Sequence, residues 1–496
     1  MKKIYRFSTF SALAIAALSM FTVSCSSDEI IVSEPQQSNA QTFTINISAS
    51  FGEGSRAVFF DDGDDNTKGA SKPMCEVFFN EKEMVYVYNA TKKVMLTGNL
   101  CPSKISDDGL SCVLTGKLKG TVDKGDELKL FYNLNGYNRR SATDCSFNYK
   151  SQEGSEGNVI DGAEAKLTVS DYSNGTLTTT GDASFKLLQS MFRFEFVDEK
   201  NTPVENIDTL KIKSKNKALI RSYYPMKEDV EQNSNSDYEL TIGTFFDYIY
   251  AAIRIDESKS PDDMLSFFAY DADGNLYKGT KDAPKDGFKN GMYYYSTSAI
   301  NLTKYPLTKP EIEWINVKDK DYMDGVHGHY YYSVYSPNNG KPIEFGISKN
   351  CNGYGFDVSS KSIIHLKDLT AIMFEKNINR FIWTIEELNL DINGENSIVC
   401  DEDAYDAIPV QCDKLKLSGN GTLTVTSYNA ENCGVLGISN YNTKDQKSSN
   451  YNNYENTDEL DVSSQLAAEG YTVIRSARTD NADGTYTWTY TVKPKE

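Results

Sequence analysis

The chain has 496 residues, with 51 Lys and Arg against 70 Asp and Glu, and a formal net charge of −19 at pH 7. A surface this acidic repels nucleic-acid phosphates and anionic lipid, and no Lys/Arg cluster offsets it, so a nucleic-acid partner is excluded. Tyr (32) and Phe (24) far outnumber Trp (3); together with abundant Thr, Gly, Asn and Asp this is the composition of an all-β protein with well-solvated turns, long enough for about three domains.

Residues 1–24 combine a basic start (Lys2, Lys3, Arg6) with an apolar, small-residue run from Phe7 to Val23, and Cys25 follows directly after Ser24. The run is too short and too broken by Ser and Thr for a spanning helix, which wants about 20 apolar residues, and reads as a signal peptide. Residues 25–41 form a flexible linker with few large apolar groups. A small residue before Cys25 at the leader's end, then Asp28 and Glu29, resembles a bacterial lipoprotein, although Thr22 stands where Leu is usual. The resemblance implies a lipid on Cys25 and a surface-exposed protein anchored to the cell outer membrane. An ordinary secretory leader with an incidental cysteine is the competing reading. No other segment is long and apolar enough to span a bilayer.

Strict alternation of Phe43, Ile45, Ile47, Ala49 and Phe51 predicts a half-buried first strand, and a loop carrying Arg56 follows. The acidic stretch 61–66 lacks calcium-loop spacing and reads as a solvated turn. Residues 83–89 and 93–97 flank a short turn and predict a hairpin; Leu128, Leu130 and Tyr132 alternate after Gly125 and Asp126. Short strands punctuated by Gly and Asn predict a β-sandwich, 42–181. A composition shift at 173–182 marks a boundary, after which Phe192, Phe194 and Phe196 share one strand face. Residues 265–270 and 276–277 form a hairpin in which Asp271 and Asp273 belong to the turn rather than to a metal. This second sandwich spans 182–305.

The leader, a strand ending in Ser55-Arg56-Ala57, the strand Val85-Tyr-Val-Tyr-Asn89, the Gly125-Asp126 strand entry and the Phe-rich opening of the second domain together resemble fimbrillin-like proteins, the type V pilin-like subunits of lipoprotein-derived fimbriae. The resemblance covers roughly residues 42 to 305. It implies two tandem transthyretin-like β-sandwiches, cleavage by a trypsin-like protease at Arg56, and a groove, vacated by residues 42–51, that takes a donor strand from another fimbrial subunit. In a non-polymerising relative Arg56 would be a loop arginine and the strand would stay in place.

Residues 306–496 exceed that pattern and form a β-rich C-terminal domain. Leu388, Leu390, Asn393, Gly394 and Ile398 recur 27 positions later as Leu415, Leu417, Asn420, Gly421 and Val425, which predicts stacked coils of a parallel β-helix, with a sandwich of similar hairpins as the alternative. A helix is expected over 462–469 between Asp461 and Gly470, then a hairpin whose last strand puts Tyr486, Trp488 and Tyr490 on one face. Those rings could stack on a sugar or pack as a sheet face. The Tyr/Asn-rich run 440–456 reads as an exposed loop.

His327 and His329 lie two apart and His365 sits in an apolar strand; no third metal ligand can be named for the pair, and no metal or cofactor site is expected. No G-x-S-x-G, H-E-x-x-H or P-loop occurs, so no catalytic residue is assigned and the chain is expected not to be an enzyme. The sequence favours a cell-surface lipoprotein that serves as a fimbrial tip or accessory subunit or a stand-alone adhesin, binding a host protein or glycan. A glycan-binding lipoprotein for nutrient capture is the alternative.

Overall fold

A computed structural model describes residues 40–496 except 52–56, 60–77, 133–138, 141–144, 155–161, 225, 227–239, 244–247, 296–297, 318–321, 324–329, 335–340, 359–360, 405–406, 430–435 and 438–457. The chain divides into two compact units, 1–40 and 41–496, and every described strand belongs to the second. The fold is all-β, and among the described residues no helix is long and apolar enough to cross a membrane.

Alternation builds the first strand as expected. In Gln41–Phe51, Phe43, Ile45, Ile47 and Ala49 are all 3% exposed or less. The strand lies inside a ten-stranded sheet, between Ser111–Gly120 on one side and Thr176–Thr180 with Ala183–Leu187 on the other. The sheet wraps round a single core that draws on the first strand, Val85 and Val87, Leu128 and Leu130, and Ala163 to Leu167. Reciprocal backbone bonds of 2.8 Å between Val85 and Leu100 close the wrap. The expected hairpin forms, pairing Tyr88 with Met95 and Asn89 with Val94. Asn89 and Asp126 meet: the buried amide donates to Asp126 Oδ2 at 2.7 Å, and the same oxygen accepts the Asp123 N–H at 2.9 Å. Gly125, at φ +94°, supplies the left-handed turn that lets the loop close on that carboxylate.

Sheet membership changes between Leu187 and Ser190 rather than at 181, because Ala183–Leu187 pairs with the first strand and with Ala163–Ser173. The second sandwich sets a six-stranded sheet containing Ile207–Ser214, Met264–Asp271 and Leu276–Asp282 against a five-stranded one containing Ser190–Phe194, Ile249–Ile255 and Tyr293–Tyr295. Phe192, Phe194 and Phe196 stack along one face at 5.8 and 6.1 Å, and Phe267 of the facing sheet meets the last two edge-on at 5.1 and 5.4 Å. Asp271 clasps its hairpin turn, accepting from Asn275 N and Nδ2 at 2.9 and 2.8 Å. Tyr86, Tyr88 and Phe131, on the outer face of the first sheet, join this second core, so the Val85–Asn89 strand is buried on both faces.

The C-terminal domain is a parallel β-solenoid. Along the chain, strands alternate between a long sheet, Ile343–Asn352, Ser362–Met373, Glu387–Cys400 and Lys414–Ser427, and a short one, Tyr331–Val334, Gly355–Val358, Arg380–Thr384, Ile408–Cys412 and Leu436–Gly437. Every neighbouring pair within each of these two sets is parallel. The sequence repeat is the lateral register itself: Leu388, Leu390, Asn393, Gly394 and Ile398 pair with Leu415, Leu417, Asn420, Gly421 and Val425. In-register stacking puts like side chains in rows, such as Phe345, Ile364, Leu390 and Leu417, all fully buried. Asn396, 2% exposed, ties three coils: Oδ1 accepts Leu369 N at 3.0 Å, and Nδ2 donates to the carbonyls of Asn393 (3.0 Å) and Thr422 (3.3 Å). Antiparallel strands cap both ends of the long sheet, Glu311–Trp314 on the first coil and Tyr486–Pro494 on the last. The helix expected over 462–469 is a single turn, Ser463–Leu466, with the Asp461 carboxylate accepting Ser463 N at 2.8 Å.

The solenoid packs on the second sandwich through Phe268, Tyr270, Leu276 and Phe374. Ion pairs Lys211–Glu375 (2.6 Å) and Lys278–Asp401 (2.9 Å) frame that contact.

Gly419 sits at φ +102°, where an added Cβ would lie 2.3 Å from the Ile392 carbonyl oxygen of the neighbouring coil. Gly419→Ala is expected to destabilise the solenoid by about 1–3 kcal/mol, read as an earlier urea midpoint by tryptophan fluorescence.

Candidate functional site

The candidate site is the first strand, Gln41–Phe51, and its bed. Ten residues, Gln41 to Ser50, pair antiparallel with Gly120 to Ser111. On the other side the strand pairs parallel, Thr44 and Ile45 with Thr176 and Leu177, and Ala49 to Phe51 with Ala183 to Phe185. Phe43, Ile45 and Ile47 at about 2 kcal/mol each contribute roughly 6 kcal/mol of apolar burial, and the Phe51 ring lies 4.4 Å from Phe79 and 5.3 Å from Tyr132. Taking the strand away would leave two open ladders and an apolar slot that only another alternating strand could fill.

Cys25 and Arg56 lie outside the described residues, as do His327 and His329. The residues immediately after Arg56 are described. Ala57–Phe59 pairs parallel with Tyr293–Tyr295 at the edge of the second sandwich. The strands before and after Arg56 thus belong to different sheets and share no ladder.

Of the two readings open for the aromatic face of the last strand, packing is the one the structure shows for Trp488 and Tyr490. Trp488 and Tyr490 are fully buried and Tyr486 is partly buried. Trp488 ends an inner row, Cys351, Ala371, Ile398, Val425 and Trp488, and Arg475 stacks on its ring at 4.4 Å. These rings cap the solenoid core, so Trp488 and Tyr490 have no free face for a sugar. Alternation marks a one-sided strand but does not say which side is wet.

On the outer face of the long sheet, His365 lies between two carboxylates, Nδ1 2.8 Å from Asp391 Oδ2 and Nε2 3.0 Å from Glu344 Oε1. Ser418 Oγ donates to Asp391 Oδ1 at 3.1 Å. Register places the three in one row, His365 beside Asp391 and Asp391 beside Ser418. The serine is bonded to the carboxylate and not to the imidazole, so the trio lacks the hydroxyl–base contact that nucleophilic catalysis requires. Partial burial works against the imidazolium, but the bonds to Asp391 and Glu344 and their charges outweigh it and raise His365 above its ordinary 6.5. Burial also pushes Asp391 upward, yet its bonds from His365, Asn393 and Ser418 hold it below 3.8. Among the described residues no group of three or more His, Cys, Asp or Glu is arranged to hold a metal ion. Burial pushes the thiols of Cys112, Cys351 and Cys412 up to about 12, which makes them poor nucleophiles.

No protein-family model matches the chain, and no characterised protein matches it in sequence. Solved structures similar to it include a candidate cell adhesion protein from Bacteroides uniformis, at TM-score 0.30 and 11% identity, covering 53% of this chain and 96% of that one. Another, from Bacteroides ovatus, has TM-score 0.27 and 14% identity and covers 53% and 95%. A fimbrial protein from Bacteroides ovatus has TM-score 0.23 and 10% identity and covers 56% and 52%. At scores this low, the reading of function rests on the chain's own strands.

His365 has a raised folded pKa, so its contribution to stability is complete below its ordinary 6.5 and is lost as pH climbs through the folded value. Asp391, lowered from 3.8, contributes above that value and loses its contribution as pH falls through the folded one. The thermal stability of the solenoid is therefore expected to fall as pH rises above about 6.5 and through the raised folded value of His365, and His365→Gln should flatten that fall.

Proposed function

We propose that this chain is a cell-surface adhesive protein that assembles by strand exchange: the first strand leaves after cleavage at Arg56, and an alternating strand from another subunit takes its bed. The carrying observation is that Gln41–Phe51 is at once the first described strand of the chain and an internal strand of its sheet, while the next strand, Ala57–Phe59, is paired in a different sheet. A cut at Arg56 would then free the first strand and leave the new end clamped to the second sandwich. The C-terminal solenoid is the binding end, and a lipid on Cys25 would hold the uncut form at the outer membrane. The docked solenoid, with its ion-paired contact to the second sandwich, suits a tip or accessory subunit better than a repeating stalk.

An arginine-specific protease should cut the chain at Arg56 before it attacks the sandwiches, and Arg56→Ala should block that cut. The cut protein should then take up a labelled peptide with the sequence of residues 42–51, seen by native mass spectrometry, whereas the uncut protein should not. Resistance at Arg56, or a cut protein that takes up no peptide, contradicts the proposal.

A further inference from the structure

We propose that the bed of the first strand selects its occupant through a socket of three rings, Phe79, Tyr132 and Phe185, which demands an aromatic side chain where Phe51 now sits. This deepens the strand-exchange reading above by naming the kind of strand the bed takes, and rests on it.

All four rings lie within 6.0 Å of one another. Phe51 is 4.4 Å from Phe79, 5.3 Å from Tyr132 and 5.9 Å from Phe185. The other three close the triangle, with Phe79 5.5 Å from Tyr132 and 5.9 Å from Phe185, and Tyr132 6.0 Å from Phe185. Phe51 and Phe79 both stand nearly perpendicular to Tyr132, at 83° and 86°, the arrangement in which the positive edge of one ring meets the negative face of another. An aliphatic side chain covers similar area but has neither edge nor face to offer.

The socket belongs to the part of the molecule that stays when residues 42–56 leave. Phe79, Tyr132 and Phe185 are 5%, 0% and 1% exposed, and each is fixed without help from the first strand. Phe79 N donates to the Gly109 carbonyl at 2.9 Å, the Tyr132 hydroxyl donates to the Phe78 carbonyl at 3.0 Å, and Ala183–Leu187 pairs with Ala163–Ser173. Losing Phe51 therefore leaves a preformed aromatic hollow, which costs its next occupant little reorganisation. Two places earlier the demand is opposite: Ala49, 3% exposed, lies between Cys112 and Ala183 in the ladders, where a close-packed interior resists a larger side chain. At the far end, among the described residues, the Phe43 ring meets a single aromatic, Tyr172, at 6.0 Å. The incoming strand is thus an alternating one that carries a small residue two places ahead of an aromatic.

The test reads amide hydrogen exchange of residues 45–50 in the uncut full chain, alongside competition of the 42–51 peptide and its variants for the chain cut at Arg56. Phe51→Leu should speed local opening roughly fivefold and Phe51→Ala roughly fiftyfold, while Phe51→Tyr stays close to the parent. In a Phe79→Leu background the Phe51→Leu effect should shrink to about twofold or less, which loss of apolar area alone would not produce. Peptides should rank in the same order, and one carrying Ala49→Leu should compete at least roughly tenfold more weakly. The socket is overturned if Phe51→Leu opens no faster than the parent, or if its effect is as large with Phe79→Leu as without it. Failure of the parent peptide to enter the cut chain contradicts strand exchange instead, and the amide measurement on the uncut chain still decides the socket.

Discussion

A strand in the middle of a sheet has to satisfy both of its edges at once, and Gln41–Phe51 does so with two kinds of neighbour: a ten-residue antiparallel ladder to Ser111–Gly120 and parallel contacts to Thr176–Thr180 and Ala183–Leu187. Its apolar residues also supply one wall of the first core. The first sandwich therefore depends on a segment joined to the rest of its own sheet by backbone pairing and packing, since the chain that follows it passes into the second sandwich at Ala57–Phe59. Such an arrangement is stable while the strand is in place and strongly unsatisfied without it.

The solenoid solves the edge problem differently. Parallel strands in register bury like residues over like, and each coil needs a neighbour on either side. The ends are closed by antiparallel strands, with Trp488 and Tyr490 filling the last layer from above. The same register that stacks the core also lines up polar side chains outside, bringing His365, Asp391 and Ser418 together from three coils. Outer rows are thus shared surfaces, and function on this domain is expected to be written across strands rather than along one.

Much of this was legible in the residues, wherever the signal was local. The period-two alternation of 43–51, the hairpin at 85–95 and the 27-residue offset each reflect a spacing that the ladder enforces. The coil at Ser362–Met373 went unseen because its offset to the next is 26 residues before its kink and 27 after it, and because Asp368, at φ +49°, makes the corner where the later coils use Asn-Gly. Ala57–Phe59 could not be assigned to its sheet in advance, since it is placed by Tyr293–Tyr295, and Ala183–Leu187 is placed only partly by the nearby Ala163–Ser173, its other partner being Gln41–Phe51; both distant partners lie more than a hundred residues away. The pairing of His365 was hidden for the same reason: nothing near it in sequence names its neighbours across the coils.

The most direct measurement is amide hydrogen exchange before and after a cut at Arg56 followed by removal of the first-strand peptide. The account predicts that Ser111–Gly120 loses protection while Ser362–Met373 and Glu387–Cys400 keep theirs, and that adding the 42–51 peptide restores the first. Unchanged protection at Ser111–Gly120 once the peptide is gone, or loss of protection across the whole chain, would contradict it.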